Sequence, residues 1–396
     1  MLKMAQLTEL KMKFVQQFGG NETEISVFHA PGRVNLIGEH TDYNGGSVFP
    51  AALTFGTTLL IAPRKDRKLG FASTNFPEGK ESSLEDVVFS EEDDWANYPK
   101  GVVWELKQRG IDLSKSYNFL YHGEIPNGAG LSSSASIEVV TAYALLTLEG
   151  KSTDTVQIAV WSQHAENEFI GVKCGIMDQF AVANGRANHA ILLDCDTLKY
   201  ELVPFESGDY KLVIGNTNKR RGLVDSKYNE RRSQCEQAVQ QLKQAFPELT
   251  LLGQLTLAEY EANEHLIQDE TVRRRARHVV EEIDRVARSM EVLKANDLAA
   301  FGRLMNASHD SLRDLYEVTG IELDTMVDAA RSVPGVLGSR MTGAGFGGCT
   351  VSLVHQDSVE RFISEVGEKY EAATGLKPAF YVCDIGDGVR ELKEEA

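Results

Sequence analysis

The sequence predicts an α+β protein built from two layered domains. The chain has 396 residues, which is enough for two domains of the usual size, roughly 100–200 residues each. Strand-like and helix-like segments alternate along its whole length, and near Tyr210 a buried strand followed by a long helix begins the pattern again. This restart predicts domains at 1–206 and 207–396, with the closing strand as a candidate for return to the first domain.

In the first half, apolar residues at helical spacing predict a surface helix that ends near Gly19. Strands are predicted where β-branched and apolar residues concentrate, in SVFHAPGRVNLIG, SVFPAALTFGTTLLIAPR, KLGFASTNF, YNFLYHGEIP and HAILLDC. Helices are predicted over DWANYPKGVVWELKQRG, over the serine-rich segment through Leu148, and from Thr153 to Phe169.

In the second half, the strand YKLVIGNT precedes the helix VDSKYNERRSQCEQAVQQLKQAF, and three helical stretches occupy 256–333. A glycine-rich turn then leads to a strand in GVLGSRMTGAGFGGCTVSLV. A last helix, SVERFISEVGEKYEAATG, is followed by the strand PAFYVCDIG. The basic run at 273–278 continues into acidic residues, which predicts a solvated helix with i,i+4 ion pairs rather than a nucleic-acid site.

Composition excludes several classes of function. Asp and Glu outnumber Lys and Arg by 58 to 41, so the net charge of −17 argues against nucleic-acid or anionic-membrane partners. A local nest of backbone N–H groups can still hold phosphate in an acidic protein. Five scattered cysteines predict reduced thiols. No apolar run has the length of a membrane span, and no signal peptide is recognisable, so a cytoplasmic location is expected, with a monomer plausible.

The segment IPNGAGLSSSASIEVV, at 125–140, has the pattern of a phosphate-binding loop. Gly128 and Gly130 let backbone N–H groups converge, and Ser132, Ser133 and Ser134 stand where a helix begins. The loop is neither a P-loop nor a dinucleotide fingerprint, since both spacings are absent. Without a lysine, charge neutralisation requires a metal, and the Ser134 hydroxyl is a candidate Mg²⁺ ligand. The structural alternative is a serine-capped helix after a glycine turn.

Two further candidates are Asp178 and Arg33. Asp178 stands among apolar residues in CGIMDQF, and burying a carboxylate without a partner is costly. It is therefore a general base, a salt-bridged structural residue, or a helix N-cap. Arg33, in APGRVNL, is a candidate partner that could also stabilise a transferring phosphoryl group. Its alternative is an ordinary surface arginine.

The stretch IGEHTDYNGG, at 37–46, concentrates Glu39, His40 and Asp42 before two glycines. Its composition fits a metal site, a catalytic cluster, a sugar-binding loop or a polar turn. Zinc is disfavoured because no second histidine stands nearby. Tyr43 is interpreted as a packing residue.

Three blocks together resemble the GHMP kinases, a family of small-molecule kinases: APGRVNLIGEHTDYNGG at 30–46, GAGLSSSAS at 128–136 and MTGAGFGGC at 341–349. CGIMDQ and SKYNERR match as well, so the resemblance spans nearly the whole chain. It implies a first domain like the second domain of ribosomal protein S5, and a ferredoxin-like second domain. It implies ATP and Mg²⁺ as cofactors, with the active site between the domains.

The resemblance also implies roles for individual residues. Asp178 takes the proton of the sugar's anomeric hydroxyl, and Arg33 stabilises the transferring phosphoryl group. Ser134 and Glu166 hold Mg²⁺. The sugar is bound by Glu39, His40, Thr41, Asp42 and Tyr228. The nucleotide is bound by Ser73, Gly128, Ala129, Gly130, Leu131, Ser132, Ser133 and Ser134.

The expected activity is ATP-dependent phosphorylation of D-galactose at its anomeric hydroxyl, since GEHTDYN resembles the galactose-specific form of the motif. One alternative is a non-catalytic galactose sensor, but sensors of this type lack the Ser-Ala pair that is present here at 134–135. A second alternative is a kinase for N-acetylgalactosamine or arabinose, because specificity can depend on one pocket residue. Ala344 is the one departure noted, at a position where relatives carry glycine.

Overall fold

The computed structural model describes residues 4–125, 130–219 and 224–393. Within these ranges the chain forms eleven α-helices and thirteen strands. The helices are α1 (Met4–Phe18), α2 (Asn97–Gln108), α3 (Ser133–Leu148), α4 (Thr155–Ala165), α5 (Met177–Asn184), α6 (Val224–Leu242), α7 (Leu257–Asn263), α8 (Glu270–Lys294), α9 (Leu298–Ser311), α10 (Gly320–Arg331) and α11 (Val359–Thr374). The strands are β1 (Ser26–Asn35), β2 (Ser47–Val48), β3 (Pro50–Arg64), β4 (Lys68–Ser73), β5 (Lys80–Ser83), β6 (Ser116–Gly123), β7 (His189–Asp194), β8 (Tyr200–Pro204), β9 (Tyr210–Asn216), β10 (Val336–Thr342), β11 (Cys349–His355), β12 (Ala379–Cys383) and β13 (Arg390–Glu391).

A six-stranded sheet, in the order β13-β1-β3-β6-β4-β5, forms the centre of the first half. Successive side chains of a strand point to opposite faces, and β3 follows this rule. Leu59 and Ile61 pack into the core shared with α2 to α5, whereas Leu60 and Ala62 pack with α1 on the other face. Because both faces are covered, β3 has a continuous apolar run, LLIAP at 59–63, rather than an alternating pattern.

A four-stranded antiparallel sheet, in the order β10-β11-β9-β12, forms the second half. Numbered within this half, the order is 2-3-1-4, with helices between the first and second strands and between the third and fourth. This is the ferredoxin-like topology, so that expectation is confirmed. Helices α10 and α11 cover one face through Met326, Ala330, Phe362 and Val366. A small third sheet, β2-β7-β8, lies beside the loop that follows β1.

The two halves share an apolar core. Val34, Leu36 and Ile37, at and after the end of β1, pack with Ile214 and Val351 of the second sheet. The loop at 36–46 is therefore held between the halves. The predicted boundary at residue 206 lies between β8 and β9 and stays a prediction. Strand β12 belongs to the second sheet, and the short β13 returns to pair with β1.

Two expectations need correction. The region 256–333 holds four α-helices rather than three, because Asn296 turns the chain at φ 57° and Asp297 caps α9 through Ala300 N–H. The basic run at 273–278 does lie on a helix, with an Arg277–Glu281 ion pair at 3.7 Å. It is not wholly solvated, since Arg275 and His278 are buried.

The five cysteines form no disulfide, as expected. Among the helices of the described residues, none combines the length and apolar character that crossing a membrane requires.

Candidate active site

A cavity of about 310 Å³ lies between the loop after β1, the turn before α5 and the glycine-rich loop between β10 and β11. Its volume suits a ligand of small-molecule size. Four carboxylates, one arginine, one histidine and one tyrosine contribute to its lining: Glu39, Asp42, Glu166, Asp178, Arg33, His40 and Tyr228. The structure thus brings together residues from both halves of the chain that the sequence analysis had singled out separately.

Arg33 and Asp178 form a two-point ion pair. Arg33 Nε donates to Asp178 Oδ1 at 2.8 Å, and Nη2 donates to Oδ2 at 2.8 Å. The third arm, Nη1, donates to the carbonyl of Gly130 at 2.7 Å. The Arg33 side chain is only 5% exposed, so it is not a surface arginine. Paired, planar hydrogen bonds of this kind fix both direction and distance.

Asp178 lies in the first turn of α5, but it is not the N-cap, a position that Ile176 occupies. Its Oδ2 also accepts a hydrogen bond of 2.5 Å from Ser132 Oγ. Ser132 itself precedes α3 with a left-handed backbone, φ 63°, and its side chain does not cap the helix. The serine-capped reading of this loop is therefore wrong for Ser132, whose hydroxyl orients Asp178 instead.

Glu166 begins a π-helical turn, Glu166–Ile170, at the end of α4. Its carboxylate accepts hydrogen bonds from Gln179 Nε2 at 2.6 Å and from the Ser134 side chain. Burial, followed by the charge of Asp178, raises the pKa of Glu166 to about 7. Ser134 and Glu166, predicted from separate segments, are thus hydrogen-bonded neighbours.

A third carboxyl group, that of Glu138 on α3, lies behind Glu166 and is fully buried. Gln179 Nε2 contacts it at 3.1 Å, and burial raises its pKa well above the usual value. The sequence analysis missed it, although a lone glutamate in the otherwise apolar run SIEVV was a usable signal. One oxygen of Glu138 and the amide oxygen of Gln179 are buried without a hydrogen-bond partner.

A second cavity, of about 220 Å³, adjoins the start of α3. Ser73, Ser133 and Ser134 line it together. Aromatic rings form another side, with Phe76 and Trp95 stacked at 5.9 Å. Gly130, Leu131 and Ser132 continue from this cavity to the Arg33–Asp178 pair. The predicted loop residues Gly128 and Ala129 lie outside the described residues.

Glu39 is almost fully buried, and both of its carboxylate oxygens have protein partners. Oε1 accepts from Gly343 N–H at 2.8 Å, and Oε2 accepts from Arg340 Nη2. Burial raises the pKa of Glu39, and the nearby Arg340 opposes that rise. The sequence analysis missed Arg340. A charged residue in the middle of an apolar strand, as in VLGSRMT, is the signal that could have revealed it.

His40 and Thr41 also have protein partners for their polar side-chain atoms. His40 Nδ1 lies 2.8 Å from Tyr43 Oη, and Nε2 lies 3.1 Å from the Ala344 carbonyl. Thr41 Oγ1 bonds to the carbonyls of Gly38 and Ser47 at 2.9 and 2.8 Å. A direct hydrogen bond from either side chain to a ligand would have to replace one of these, so their predicted role as ligands stays a prediction.

Asp42 also lines the cavity, and it lies against the Cα of Gly175. A Cβ placed on Gly175 would stand only 1.9 Å from Asp42 Oδ2. Burial, followed by the charge of Asp178, raises the pKa of Asp42 to about 6. Tyr228 of α6 closes the cavity beside the loop, with its ring 5.6 Å from that of His40.

The glycine-rich loop at 343–348 explains the departure at Ala344. Gly343, Gly345, Gly347 and Gly348 have positive φ values of 82–111°, but Ala344 does not have a positive φ. An alanine is therefore compatible with the backbone at this position.

In the described parts of the chain, no three histidine, cysteine or acidic side chains are arranged to hold a metal ion. A site built on Ser134 and Glu166 would thus take its remaining ligands from water and phosphate oxygens. Mg²⁺ prefers that arrangement, since it dehydrates reluctantly. The hard oxygen donors and the unpaired oxygens of Glu138 and Gln179 suit a cation of this kind.

Three family signatures match the chain in order. The galactose-binding signature of galactokinases matches residues 12–63. The N-terminal domain of GHMP kinases matches 97–186, and the C-terminal domain matches 289–372.

Individual proteins match over nearly the full length. A galactokinase of Fusobacterium nucleatum is 53% identical over 372 residues, 93% of this chain and 96% of its own. One of Bacillus subtilis is 51% identical over 389 residues, 98% of this chain and 99% of its own.

Solved structures agree. Lactococcus lactis galactokinase complexed with galactose superposes with a TM-score of 0.94 at 46% identity, covering 98% of this chain and 100% of its own. A mevalonate kinase of Methanococcus jannaschii, at 19% identity and TM-score 0.68 over 91% of this chain and 98% of its own, shares the fold. The chain is an enzyme of the kinase class and belongs to the galactokinase family of GHMP kinases.

Proposed function

We propose that this chain transfers the γ-phosphoryl group of ATP to the anomeric hydroxyl of D-galactose, giving α-D-galactose 1-phosphate and ADP. The observation that carries the proposal is the Arg33–Asp178 pair, which lies in the cavity beside the serine-rich start of α3. The galactose complex of the Lactococcus lactis relative supports galactose as the sugar.

In this proposal Asp178 is the general base. Arg33 and Ser132 fix both of its oxygens, so the carboxylate is oriented before the sugar binds. It accepts the hydroxyl proton while the sugar oxygen bonds to the γ-phosphorus and the bond to the ADP oxygen breaks. Arg33 lies beside the same point and stabilises charge on the transferring group. Most of the rate enhancement in such transfers comes from positioning and charge stabilisation.

The nucleotide occupies the second cavity and the loop that leads from it. Ser73 and the rings of Phe76 and Trp95 lie where a base and ribose would fit. The phosphates bind at the predicted loop residues 128–134, because the N–H groups in the first turn of α3 lack intrahelical partners and a helix N-terminus favours an anion.

Ser134 and Glu166 hold the Mg²⁺ that accompanies ATP. When bound, the ion neutralises phosphate charge during transfer. Glu166 is kept in place by Gln179, which donates to it at 2.6 Å.

Replacing Ser134 by alanine or Glu166 by glutamine is expected to weaken the Mg²⁺ dependence of nucleotide binding. About tenfold more Mg²⁺ should be required for the same nucleotide affinity, because one ion ligand is lost. Calorimetric titration of the nucleotide at several Mg²⁺ concentrations measures this without turnover. Galactose binding without nucleotide serves as the control and should be unchanged in Ser134→Ala, since Ser134 does not line the sugar cavity. An unaltered Mg²⁺ dependence in both variants would exclude the pair as ligands.

Galactose occupies the cavity between Asp42, Asp178 and Tyr228, with Glu39, His40 and Thr41 shaping the wall of the 37–46 loop. A sugar hydroxyl can both donate and accept, so the Asp42 carboxylate is a suitable acceptor. A site built to pair a given hydroxyl rejects sugars that lack it, because the carboxylate is then left unpaired.

Galactose affinity is expected to fall as the pH drops through about 6, the raised pKa of Asp42. Below that pH the carboxylate takes up a proton and loses an acceptor. The contribution of Asp42 to the free energy of unfolding should not fall over this range. Because its pKa is raised in the folded state, the group stabilises the fold at low pH and loses that contribution as the pH rises through 6. The KM for galactose across this range measures the effect. In Asp42→Asn the KM for galactose should be high and free of this pH dependence. If the variant keeps the wild-type pH profile, another group causes the pH dependence.

A coupled assay of ADP release tests the proposed function directly. The purified chain is supplied with ATP, Mg²⁺ and either galactose, N-acetylgalactosamine, arabinose, glucose or no sugar. Release that depends on galactose supports the proposal. Release that is larger with another sugar would reassign the substrate, and galactose binding without any turnover would identify a sensor.

A further inference from the structure

A chain of side-chain hydrogen bonds runs behind the wall of the sugar cavity. It begins at Cys235 on α6, whose Sγ lies 3.3 Å from Tyr316 Oη. Tyr316 Oη lies 2.7 Å from Tyr43 Oη, which in turn lies 2.8 Å from His40 Nδ1. The chain ends where His40 Nε2 meets the Ala344 carbonyl at 3.1 Å. It therefore links the loop after β1 with the glycine-rich loop before β11.

The direction of every bond follows from its last acceptor. Burial lowers the pKa of His40 to about 3, so its imidazole is neutral and carries one N–H. A carbonyl can only accept, which places that proton on Nε2 and makes Nδ1 an acceptor. Tyr43 must then donate to Nδ1, Tyr316 to Tyr43, and Cys235 to Tyr316. Each hydroxyl donates its single proton to the next group, so only one set of donor directions satisfies the whole chain.

His40 also has a strained backbone. Its φ is 64°, in the left-handed region that non-glycine residues avoid. Such a conformation costs on the order of 1 kcal/mol or more and persists only where the surroundings impose it. The surroundings here are two hydrogen bonds and the ring of Tyr316, which lies 4.8 Å from the His40 ring and 4.6 Å from that of His278. His278 in turn contacts the Glu39 carbonyl through Nε2 at 3.2 Å.

This chain of hydrogen bonds ends on the same segment of the glycine-rich loop that binds the Glu39 carboxylate. Ala344 O accepts from His40, and the adjacent Gly343 N–H donates to the Glu39 carboxylate. Two successive residues of the glycine-rich loop are thus tied to two successive residues of the sugar loop. If the His40 ring lost its donor at Nδ1 and turned, the bond to Ala344 would be lost and one of these two ties would be broken.

We propose that Tyr43 and Tyr316 are positioning residues for sugar binding: their hydrogen bonds fix the His40 ring at Nδ1, so that its Nε2–H meets the Ala344 carbonyl and the two loops keep the spacing that galactose requires. The inference rests on the proposed function for its sugar. It assigns Tyr43 a role beyond the packing expected from sequence. It also gives a role to Tyr316, which lines neither the sugar cavity nor the nucleotide cavity.

Tyr316→Phe and Tyr43→Phe test the proposal, since each deletes one oxygen and preserves the ring. The KM for galactose is expected to rise about three- to tenfold, the range for one lost hydrogen bond, with the KM for ATP unchanged. The double variant should lose no more than the worse single variant, because either change interrupts the same chain. Nitrogen-15 NMR of histidine-labelled protein should show the His40 Nδ1 resonance moving toward that of an unprotonated nitrogen without a hydrogen bond, with His40→Asn identifying the signals. The shift should be largest in Tyr43→Phe, which removes the donor to Nδ1, and smaller in Tyr316→Phe, which removes the bond that polarises that donor.

Tyr260→Phe is the matched control. Tyr260 is fully buried in the same apolar cluster as Tyr316, and its hydroxyl donates to the Arg273 carbonyl at 2.8 Å. It takes no part in the chain of bonds that ends at His40, so galactose KM and the His40 Nδ1 resonance should stay as in the wild type. A His40 Nδ1 resonance unchanged in Tyr43→Phe overturns the inference even if the wild type phosphorylates another sugar. Equal KM changes in Tyr260→Phe and Tyr316→Phe would overturn it as well, because both changes would then reflect a general loss of fold stability.

Discussion

Asp178→Asn should retain the fold and bind ATP, yet lose galactose phosphorylation by about a hundred- to ten-thousandfold, the range for removal of a general base. Asp178 uses both oxygens as acceptors, for two donors of Arg33 and for the Ser132 hydroxyl. An asparagine offers one acceptor and turns an NH₂ group toward one of these donors. The substitution therefore removes the proton acceptor and also loosens Arg33, so the effect falls on turnover rather than on nucleotide affinity.

Ser132→Ala is the matched comparison for this prediction. It deletes the bond at 2.5 Å to Asp178 Oδ2 but leaves the two-point pair with Arg33 intact. Its loss of turnover should be clearly smaller than that of Asp178→Asn. Single-turnover measurements with saturating ATP and galactose separate the chemical step from binding. Near-normal turnover in Asp178→Asn would exclude Asp178 as the base.

The architecture was largely predictable because its signals are local. Gly19 ends the first helix, Leu148 ends α3, and the strand near Tyr210 starts the second half, as expected. Periodicity and breaking residues report such features directly. Three helical stretches were predicted in 256–333 where four are present, and the break at Asn296 has no glycine or proline to mark it, since a single left-handed asparagine interrupts the helix. The details of the two-domain fold came from the family resemblance, since strand order depends on pairings far apart in sequence.

The site was predictable only in part. Motifs singled out Arg33, Asp178, Ser134 and Glu166, and the structure brings each pair into contact. The sequence could not show what occupies Nε2 of His40, because its partner is a carbonyl 304 residues away. The role of Tyr316 could not be predicted for the same reason, since its hydroxyl contacts that of Tyr43, which lies 273 residues away in the sequence.

Arg340→Met is expected to lower the free energy of unfolding by about 3–5 kcal/mol, the cost of leaving a buried charge without its partner. Arg340 on β10 is fully buried and joins the halves: its guanidinium contacts the Glu39 carboxylate, the Asn35 carbonyl at 3.1 Å and Ser308 Oγ at 3.2 Å. Methionine fills the space but supplies none of these donors. Urea denaturation measures the loss, and Arg361→Met, which removes an exposed i,i+4 pair, should change stability by less than about 0.5 kcal/mol.

The pH dependence of the Arg340→Met defect distinguishes lost charge compensation from lost packing. Arg340 opposes the rise that burial imposes on the pKa of Glu39, so without it that pKa climbs further. A raised folded-state pKa lets Glu39 contribute to stability below its usual value of 4.5 and withdraws that contribution as pH rises. The defect should therefore be larger at alkaline than at mildly acidic pH, and Glu39→Gln in the Arg340→Met background should recover part of it. A defect independent of pH and untouched by Glu39→Gln would mean that Arg340 stabilises the junction by packing and backbone contacts alone.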